Sequence, residues 1–166
     1  GLGMCIRDSR GKGVFMNNKL ERFKAFLYAK GIAYNATPDE TLDLEEAVCL
    51  NVKFKDERNF HLIFSKDVAI VGYYVMAEFD RDASSLDLLE LMNKMSLKNL
   101  LCSYHITPEH YLVAKFAMLA KEEDFDAAKL YALLEAVEAQ AEVACPTLRT
   151  KGFSIIADDA RFTNLK

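Results

Sequence analysis

The strongest constraint on the fold is a period-two alternation of apolar residues that starts near residue 47 and recurs twice. In the first segment, Val48, Leu50, Val52 and Phe54 alternate with Ala47, Cys49, Asn51 and Lys53. The alternation returns at Phe60, Leu62 and Phe64 after a charged turn at 55–59. A second turn at 66–67 leads into residues 68–79, which are rich in β-branched and aromatic side chains. The sequence therefore predicts a three-strand antiparallel meander.

Helical spacing of apolar residues predicts three helices around this meander. The first covers residues 17–30 and ends at Gly31, a typical C-terminal cap. The second begins at Ser84, with Asp87 three positions later as an approximate capping box, and runs to about Met95. The third follows the acidic residues 122–124 and ends at Pro146. The predicted inner stripes are Leu88, Leu89, Met92 and Met95 in the second helix, and Leu130, Leu133, Leu134, Val137, Ala141 and Ala144 in the third.

The other segments complete an α+β domain. Residues 33–40 contain Pro38 and predict a loop, with a short extended piece before the proline left open. Residues 100–107 and 111–119 predict a β-hairpin around Pro108. The expected order is helix, three-strand antiparallel meander, helix, β-hairpin and long C-terminal helix.

The two ends of the chain differ from its middle. Residues 4–9 resemble the translation of a transposon adapter used in DNA library preparation, and glycines and mixed charges precede any periodic pattern. We expect the native chain to begin at Met16, with residues 1–15 as a non-native or disordered leader. The single domain is expected to cover 16–148, and residues 149–166 form a C-terminal tail or, around 153–156, an edge strand.

Composition restricts the classes of function. The four cysteines, at 5, 49, 102 and 145, form no CxxC pair, and a chain of 166 residues can bury a core without disulfides. A net charge of -4 weighs against nucleic-acid binding, since phosphate contacts need clustered Lys and Arg. No apolar run approaches the roughly 20 residues that a membrane-spanning helix needs. We expect a cytoplasmic protein that binds neither nucleic acid nor membrane.

No motif predicts catalysis. Cys102, His105 and His110, with His61 as a fourth candidate, lack the spacing of a zinc site, and strand alternation would send Cys102 and His105 to opposite faces. Neither a phosphate loop nor a nucleophile elbow occurs, and the paired carboxylates at 45–46, 122–123 and 158–159 fit solvated surface. The sequence predicts no catalytic, cofactor-binding or metal-binding residues.

Aromatic and methionine side chains are concentrated in the predicted strands. Both faces of residues 68–77 are apolar, so the sheet needs cover on both sides, either from its own helices or from a second copy or partner. The candidate partner-binding surface consists of Tyr73, Tyr74, Met76, Tyr104, Tyr111, Phe116 and Met118.

A family resemblance follows from the segment Leu-Leu-Glu-Leu-Met-Asn at 88–93 and the hairpin after it, at 101–106 and 112–117. Over residues 17–148 the chain resembles the YbjN-like family, whose fold is that of the type III secretion chaperones, and Asn93 matches an asparagine in the second helix of that family. The resemblance implies a non-enzymatic homodimer without a cofactor. Chaperones of this fold bind an extended client segment along helix and sheet surfaces.

Three functions remain open on the sequence. The first is a homodimeric, chaperone-like or regulatory protein that binds a protein segment through an apolar sheet or helix surface. The second is a small-ligand protein or enzyme with a pocket between the sheet and the long helix, where His61, His105 and His110 are candidate polar groups. The third is a structural subunit of a larger assembly.

Overall fold

A computed structural model describes residues 5–7, 13–15, 18–38, 48–53, 59–65, 69–79 and 84–155. Seven strands form one antiparallel sheet in the order β3-β4-β5-β6-β8-β7, with β9 also paired to β6. Their bounds are β3 Tyr34–Pro38, β4 Val48–Lys53, β5 Asn59–Phe64, β6 Ala69–Glu78, β7 Ser103–Ile106, β8 Tyr111–Leu119 and β9 Ser154–Ile155. Three helices complete the domain: α1 Asn18–Ala29, α2 Ser85–Lys98 and α3 Ala127–Thr150. The predicted α+β class and order of elements are confirmed.

The meander has one strand more than predicted. β3 occupies the segment predicted as a loop and pairs antiparallel with β4, Tyr34 opposite Val52 and Pro38 opposite Val48. β3 tolerates Pro38 because it is an edge strand, so the N–H that proline lacks breaks no hydrogen bond between inner strands. The turns predicted at 55–59 and 66–67 lie outside the described residues, apart from Asn59.

The helices cover one face of the sheet. Their buried residues, among them Leu20, Phe23, Met92 and Leu130, form one core cluster with the strand residues that face them. The inward row includes Leu50, Phe60, Leu62, Phe64, Ile70, Tyr74, Ala114 and Phe116. On the opposite face, Ile63 and Val113 are buried but lie outside this cluster. Among the described residues, helices therefore cover one of the two apolar faces expected from the sequence.

Pro146 lies inside α3, so the prediction that it ends the helix is wrong. Proline removes one backbone hydrogen bond and crowds the preceding turn, which costs about 3 kcal/mol or more in a helix interior. The residues on either side oppose that cost, because Cys145 and Leu148 are both buried in the core. The helix begins at the N-cap Asp126, whose Oδ1 accepts from the backbone N–H groups of Ala128 (2.9 Å) and Lys129 (3.3 Å).

The second helix departs from its prediction at both ends. Ser84 is the N-cap residue, but its side chain makes no capping hydrogen bond, so the predicted capping box does not form. α2 continues one turn beyond Met95, to Lys98. Leu89, predicted on the inner stripe, is exposed, and Leu91 instead packs against the core.

α1 is tied to residues far along the chain. The Nζ of Lys19, which is fully buried, donates to the carbonyls of Ser65 (3.2 Å) and Ala120 (3.0 Å). Arg22 donates to the carbonyls of Glu122 (3.1 Å) and Phe125 (2.7 Å). These charge-assisted contacts join the first helix to the end of β8 and the start of α3.

Short strands occur near both ends of the described chain. Within the predicted leader, β1 (Cys5–Arg7) pairs antiparallel with β2 (Gly13–Phe15), and the start at Met16 stays a prediction. Near the other end, β9 pairs with Ala77 and Glu78. Residues 156–166 lie outside the described residues. Within the described part of the chain, no helix is long and apolar enough to cross a membrane.

Candidate functional site

The seven residues proposed as a partner surface are divided between different environments. Tyr74, Met76, Tyr104 and Phe116 are buried in the core, and Met118 packs partly against it. Tyr73, opposite Lys115, and Tyr111, opposite Glu78, are half-buried. The structure does not bring these seven side chains together on one surface.

Aromatic packing explains why several of them are internal. The rings of Phe60 and Tyr74, on neighbouring strands, stack with centroids 4.7 Å apart, and Phe116 meets Phe60 edge-on at 6.3 Å. The Phe116 ring also lies directly over Gly72, where no side chain intervenes. Since both faces of β6 are apolar in sequence, alternation alone did not indicate which face the helices would cover.

The three histidines occupy separate places. His61 faces outward from β5 and hydrogen-bonds through Nδ1 with Asn51 Oδ1, and burial lowers its pKa below the ordinary value. His105 is exposed, with Nε2 2.7 Å from Ser103 Oγ. His110 has a positive φ of 70° at the end of the hairpin turn, and its ring lies 5.0 Å from that of Phe79. None of the three lines the groove described below.

The cysteines lie in settings typical of structural residues. Burial raises the pKa of the Cys102 thiol, which disfavours the reactive thiolate. The sequence predicts a helix end at Cys145, but this residue is buried inside α3. Its Sγ donates to the carbonyl of Ala141 at 3.3 Å. Cys102 is buried whereas His105 is exposed. Among the residues described, no three His, Cys, Asp or Glu side chains are close enough together to hold a metal ion.

A groove of about 1030 Å³ lies between α2 and the second half of α3. β9 follows α3 and pairs with the C-terminal end of β6. The chain leaves that same end of β6 toward α2, so the C-terminus of α3 and the N-terminus of α2 lie at the same end of the sheet. The residues that line the groove are Ser84, Asp87, Leu88, Glu90, Leu91, Lys94, Met95, Lys98, Asn99, Tyr104, Gln140, Val143, Ala144, Thr147, Lys151 and Phe153.

Charge is distributed unevenly along this groove. The α2 wall carries Asp87 and Glu90 in its first half and Lys94 and Lys98 in its second half. The α3 wall is lined by the uncharged Gln140, Val143, Ala144 and Thr147, and Lys151 lies just beyond the helix. Val143 is 81% exposed. The groove therefore combines apolar side chains from both helices with an acidic and a basic region along one wall.

A small hydrogen-bond network holds the polar groups where the groove meets the C-terminus of α2. Asn99 Oδ1 accepts from the backbone N–H groups of Leu101 (2.9 Å) and Cys102 (3.1 Å), and its Nδ2 donates to the Tyr104 hydroxyl (2.8 Å). Burial raises the pKa of Tyr104 to about 12, and its phenol also hydrogen-bonds with the Cys102 thiol. Gln140 Oε1, on the opposite wall, is buried with no hydrogen-bond partner. The groove thus holds one unsatisfied acceptor, Gln140 Oε1, beside its apolar lining.

α2 also carries a row of exposed leucines that the groove does not include. Leu86 is 66% exposed, Leu89 65%, Leu97 76% and Leu100, just beyond the helix, 96%. At 100° per residue, the helical members fall within about 80° of arc together with the exposed Asn93. We call Leu86, Leu89, Asn93, Leu97 and Leu100 the leucine stripe. Sequence periodicity missed it because leucines occur on more than one face of α2.

Comparison of the chain with protein-family models and with curated proteins finds no match. The resemblance to the YbjN-like family therefore stays a prediction that rests on residues 88–93 and the hairpin after them. What the chain does must be argued from its own groove and its own exposed surfaces.

Proposed function

We propose that this protein is a non-enzymatic, cytoplasmic, chaperone-like or regulatory protein that forms a homodimer and binds an amphipathic segment of a partner protein in the α2–α3 groove. The observation that carries the proposal is the groove itself, which is apolar on both walls and graded in charge along one of them. The resemblance to the YbjN-like family supports the same class of function.

The dimensions of the groove favour a helical segment. Its α2 wall is a helix of 14 residues, about 21 Å long, which matches a partner helix of about four turns. Leu88, Leu91 and Met95 on one side and Val143 and Ala144 on the other would contact the apolar stripe of such a helix. A third helix can pack between two others, because the axes of packed helices lie about 8–10 Å apart.

Charge defines the chemistry of the partner segment. Basic residues at one end would meet Asp87 and Glu90, and acidic residues at the other would meet Lys94 and Lys98. A segment with the reverse polarity would place like charges together along the same wall. We therefore expect the groove to select both composition and direction.

Peptide selection tests this proposal. A displayed library of 16-residue peptides would be selected on the protein, and the affinities of the selected peptides measured for two variants. Val143→Glu places a charge in the groove at a position 81% exposed, whereas Leu119→Glu makes the same change at an 82% exposed position outside it. We expect Val143→Glu to weaken binding at least about tenfold and Leu119→Glu to leave it unchanged. Failure to select any peptide, or equal affinities for both variants, would contradict the proposal.

A small-ligand protein is the second candidate, and it is favoured by the unpartnered Gln140 Oε1 and the Tyr104 phenol in the same groove. A ligand group that donates a hydrogen bond would satisfy Gln140 Oε1. Under this alternative, members of a metabolite panel raise the melting temperature of the protein but not of a Gln140→Leu variant. Replacing His61, His105 or His110 with alanine should leave that response intact, since none lines the groove.

A further inference from the structure

Gln140 lines the groove and carries an atom whose hydrogen-bonding capacity is unused. Its side chain is half-buried, but Oε1 is buried and has no hydrogen-bond partner among the described residues. A buried acceptor without a partner has lost its hydrogen bonds to water and gained none in return. An occupant of the groove that donates to Oε1 would therefore remove a cost that the free protein carries.

The other polar side chains in this part of the groove do not supply the donor. Asn99 Nδ2 donates to the Tyr104 hydroxyl, so these two side chains are paired with each other. Lys94 and Lys98 are exposed, and their ammonium groups stay hydrated at the surface. A donor on the occupant of the groove is the partner that remains for Gln140.

Rotation of the Gln140 side chain can present Oε1 to an occupant. Glutamine has three side-chain torsions, and the last of them, at the carboxamide, has only a broad preference. Because Gln140 is half-buried at the surface of the groove, turning its carboxamide needs no change in the backbone of α3. The acceptor is thus hidden from water in the free protein but within reach of a bound segment.

Gln140 lies toward the basic half of the groove. α3 ends at Thr150, at the end of the sheet where α2 begins, and Gln140 lies ten residues, about 15 Å, before that end. It is therefore closer to the C-terminal half of α2, which carries Lys94 and Lys98. A partner segment whose acidic end meets those lysines would bring the adjacent part of its apolar stripe to Gln140.

We propose that Gln140 sets the register of the partner segment by accepting a hydrogen bond from one polar side chain on its apolar stripe, near its acidic end. The donor is a hydroxyl, a carboxamide or an indole N–H. The inference rests on the proposed function and deepens it, because it names a class of residue that the groove recognises.

Register needs such a contact because charge alone does not fix it. Attraction between charges extends over about 8–10 Å in physiological salt, so it tolerates a shift by one helical turn, about 5.4 Å. A hydrogen bond needs its two heavy atoms within about 3 Å, and the same shift would leave Oε1 against carbon. One buried polar position fixes the register of coiled-coil helices for the same reason.

A binary peptide library tests the register. Displayed helical peptides of 16 residues would carry either Val or Thr at each position of the apolar stripe, since the two side chains have similar shapes and only Thr donates. Selection on the wild-type protein should enrich Thr at one position near the acidic end and Val elsewhere. Gln140→Met, which keeps the length of the side chain without its carboxamide, should enrich Val there too. Asn93→Met removes an exposed amide outside the groove and should select as the wild type does.

Fluorescence anisotropy gives the magnitude of the effect. Changing the enriched Thr of a selected peptide to Val should weaken binding to the wild type about tenfold, and to Gln140→Met less than about twofold. Gln140→Glu keeps acceptor oxygens at the same site and should retain the preference for Thr. Loss of the preference in Gln140→Glu would mean that the carboxamide donates, and would overturn the assignment of Oε1 as the acceptor.

The outcomes separate this inference from the proposed function. Peptides that bind without a preference for Thr, or with one that Gln140→Met retains, overturn the role of Gln140 and leave the groove as a peptide site. Failure to select any peptide overturns both. A metabolite that raises the melting temperature of the wild type but not of Gln140→Met, when no peptide binds, assigns Oε1 to a small ligand and also overturns both.

Discussion

Replacing Gly72 with alanine should destabilise the protein through one contact. A Cβ at position 72 would lie 2.0 Å from Phe116 Cζ and 2.3 and 2.7 Å from its two Cε atoms, where ordinary carbon contacts are about 3.5–4.0 Å. The ring would have to move by about 1.5 Å, but Phe116 is buried and packs edge-on against Phe60. Overpacking of this kind costs about 1–3 kcal/mol or more, against a gain of roughly 0.5–1 kcal/mol for replacing a strand glycine. We expect a net loss of about 1–2 kcal/mol.

Urea unfolding measures that loss. With a slope of about 1–3 kcal/mol per molar urea, the midpoint should fall by on the order of 1 M. The decisive control is the same substitution in a Phe116→Leu background, because leucine lacks the distal ring atoms that a Cβ would meet. There Gly72→Ala should cost clearly less, so the two changes are coupled. An equal cost in both backgrounds, or no cost at all, would refute the reasoning from the Phe116 ring.

Two further predictions concern stability. Asp126→Ala should lower the unfolding free energy by about 1 kcal/mol because it removes the acceptor for two N–H groups at the start of α3. Asp124→Ala, two residues earlier, should change the unfolding free energy by less than about 0.5 kcal/mol, and equal losses would contradict the capping role. Burial lowers the pKa of His61, so as pH falls below about 6.5 the unfolded chain takes up a proton before the folded protein does, and stability falls. His61→Gln should remove that part of the decline between pH 7.5 and pH 5.5 in urea unfolding, and an unchanged decline would exclude His61 as its source.

Local sequence patterns located β4, β5, β6 and β8 because each combines alternation with a clear boundary. β7, predicted over residues 100–107, covers only Ser103–Ile106. β8 was predicted at 111–119, as observed, and β4, β5 and β6 within about one residue. The errors arise where tertiary contacts decide the outcome. Pro146 reads as a helix end, but the buried Cys145 and Leu148 hold the following turn in the core.

The candidate site was less accessible to the same reasoning. Alternation divides β6 into two apolar faces without saying which one meets the helices, so buried Tyr74 and half-buried Tyr73 were predicted on one surface. The groove depends on the spacing between α2 and α3, two elements separated by the whole hairpin, and no local pattern encodes that spacing. The leucine stripe was visible as residues, but Leu89 and Leu91 exchanged roles because both fit a helical apolar face.

The contacts of α1 have a consequence for synthesis of the chain. Asn18, Lys19 and Arg22 bind residues between Ala120 and Phe125, which lie 100 to 104 positions later in the sequence. At roughly 5–20 residues per second, a ribosome makes those partners about 5–20 s after it makes α1. During that interval the buried side of the helix, with Leu20, Phe23 and Leu27, lacks the contacts that later hold it. α1 is thus translated before α2 and α3, yet it is among the last elements that can dock.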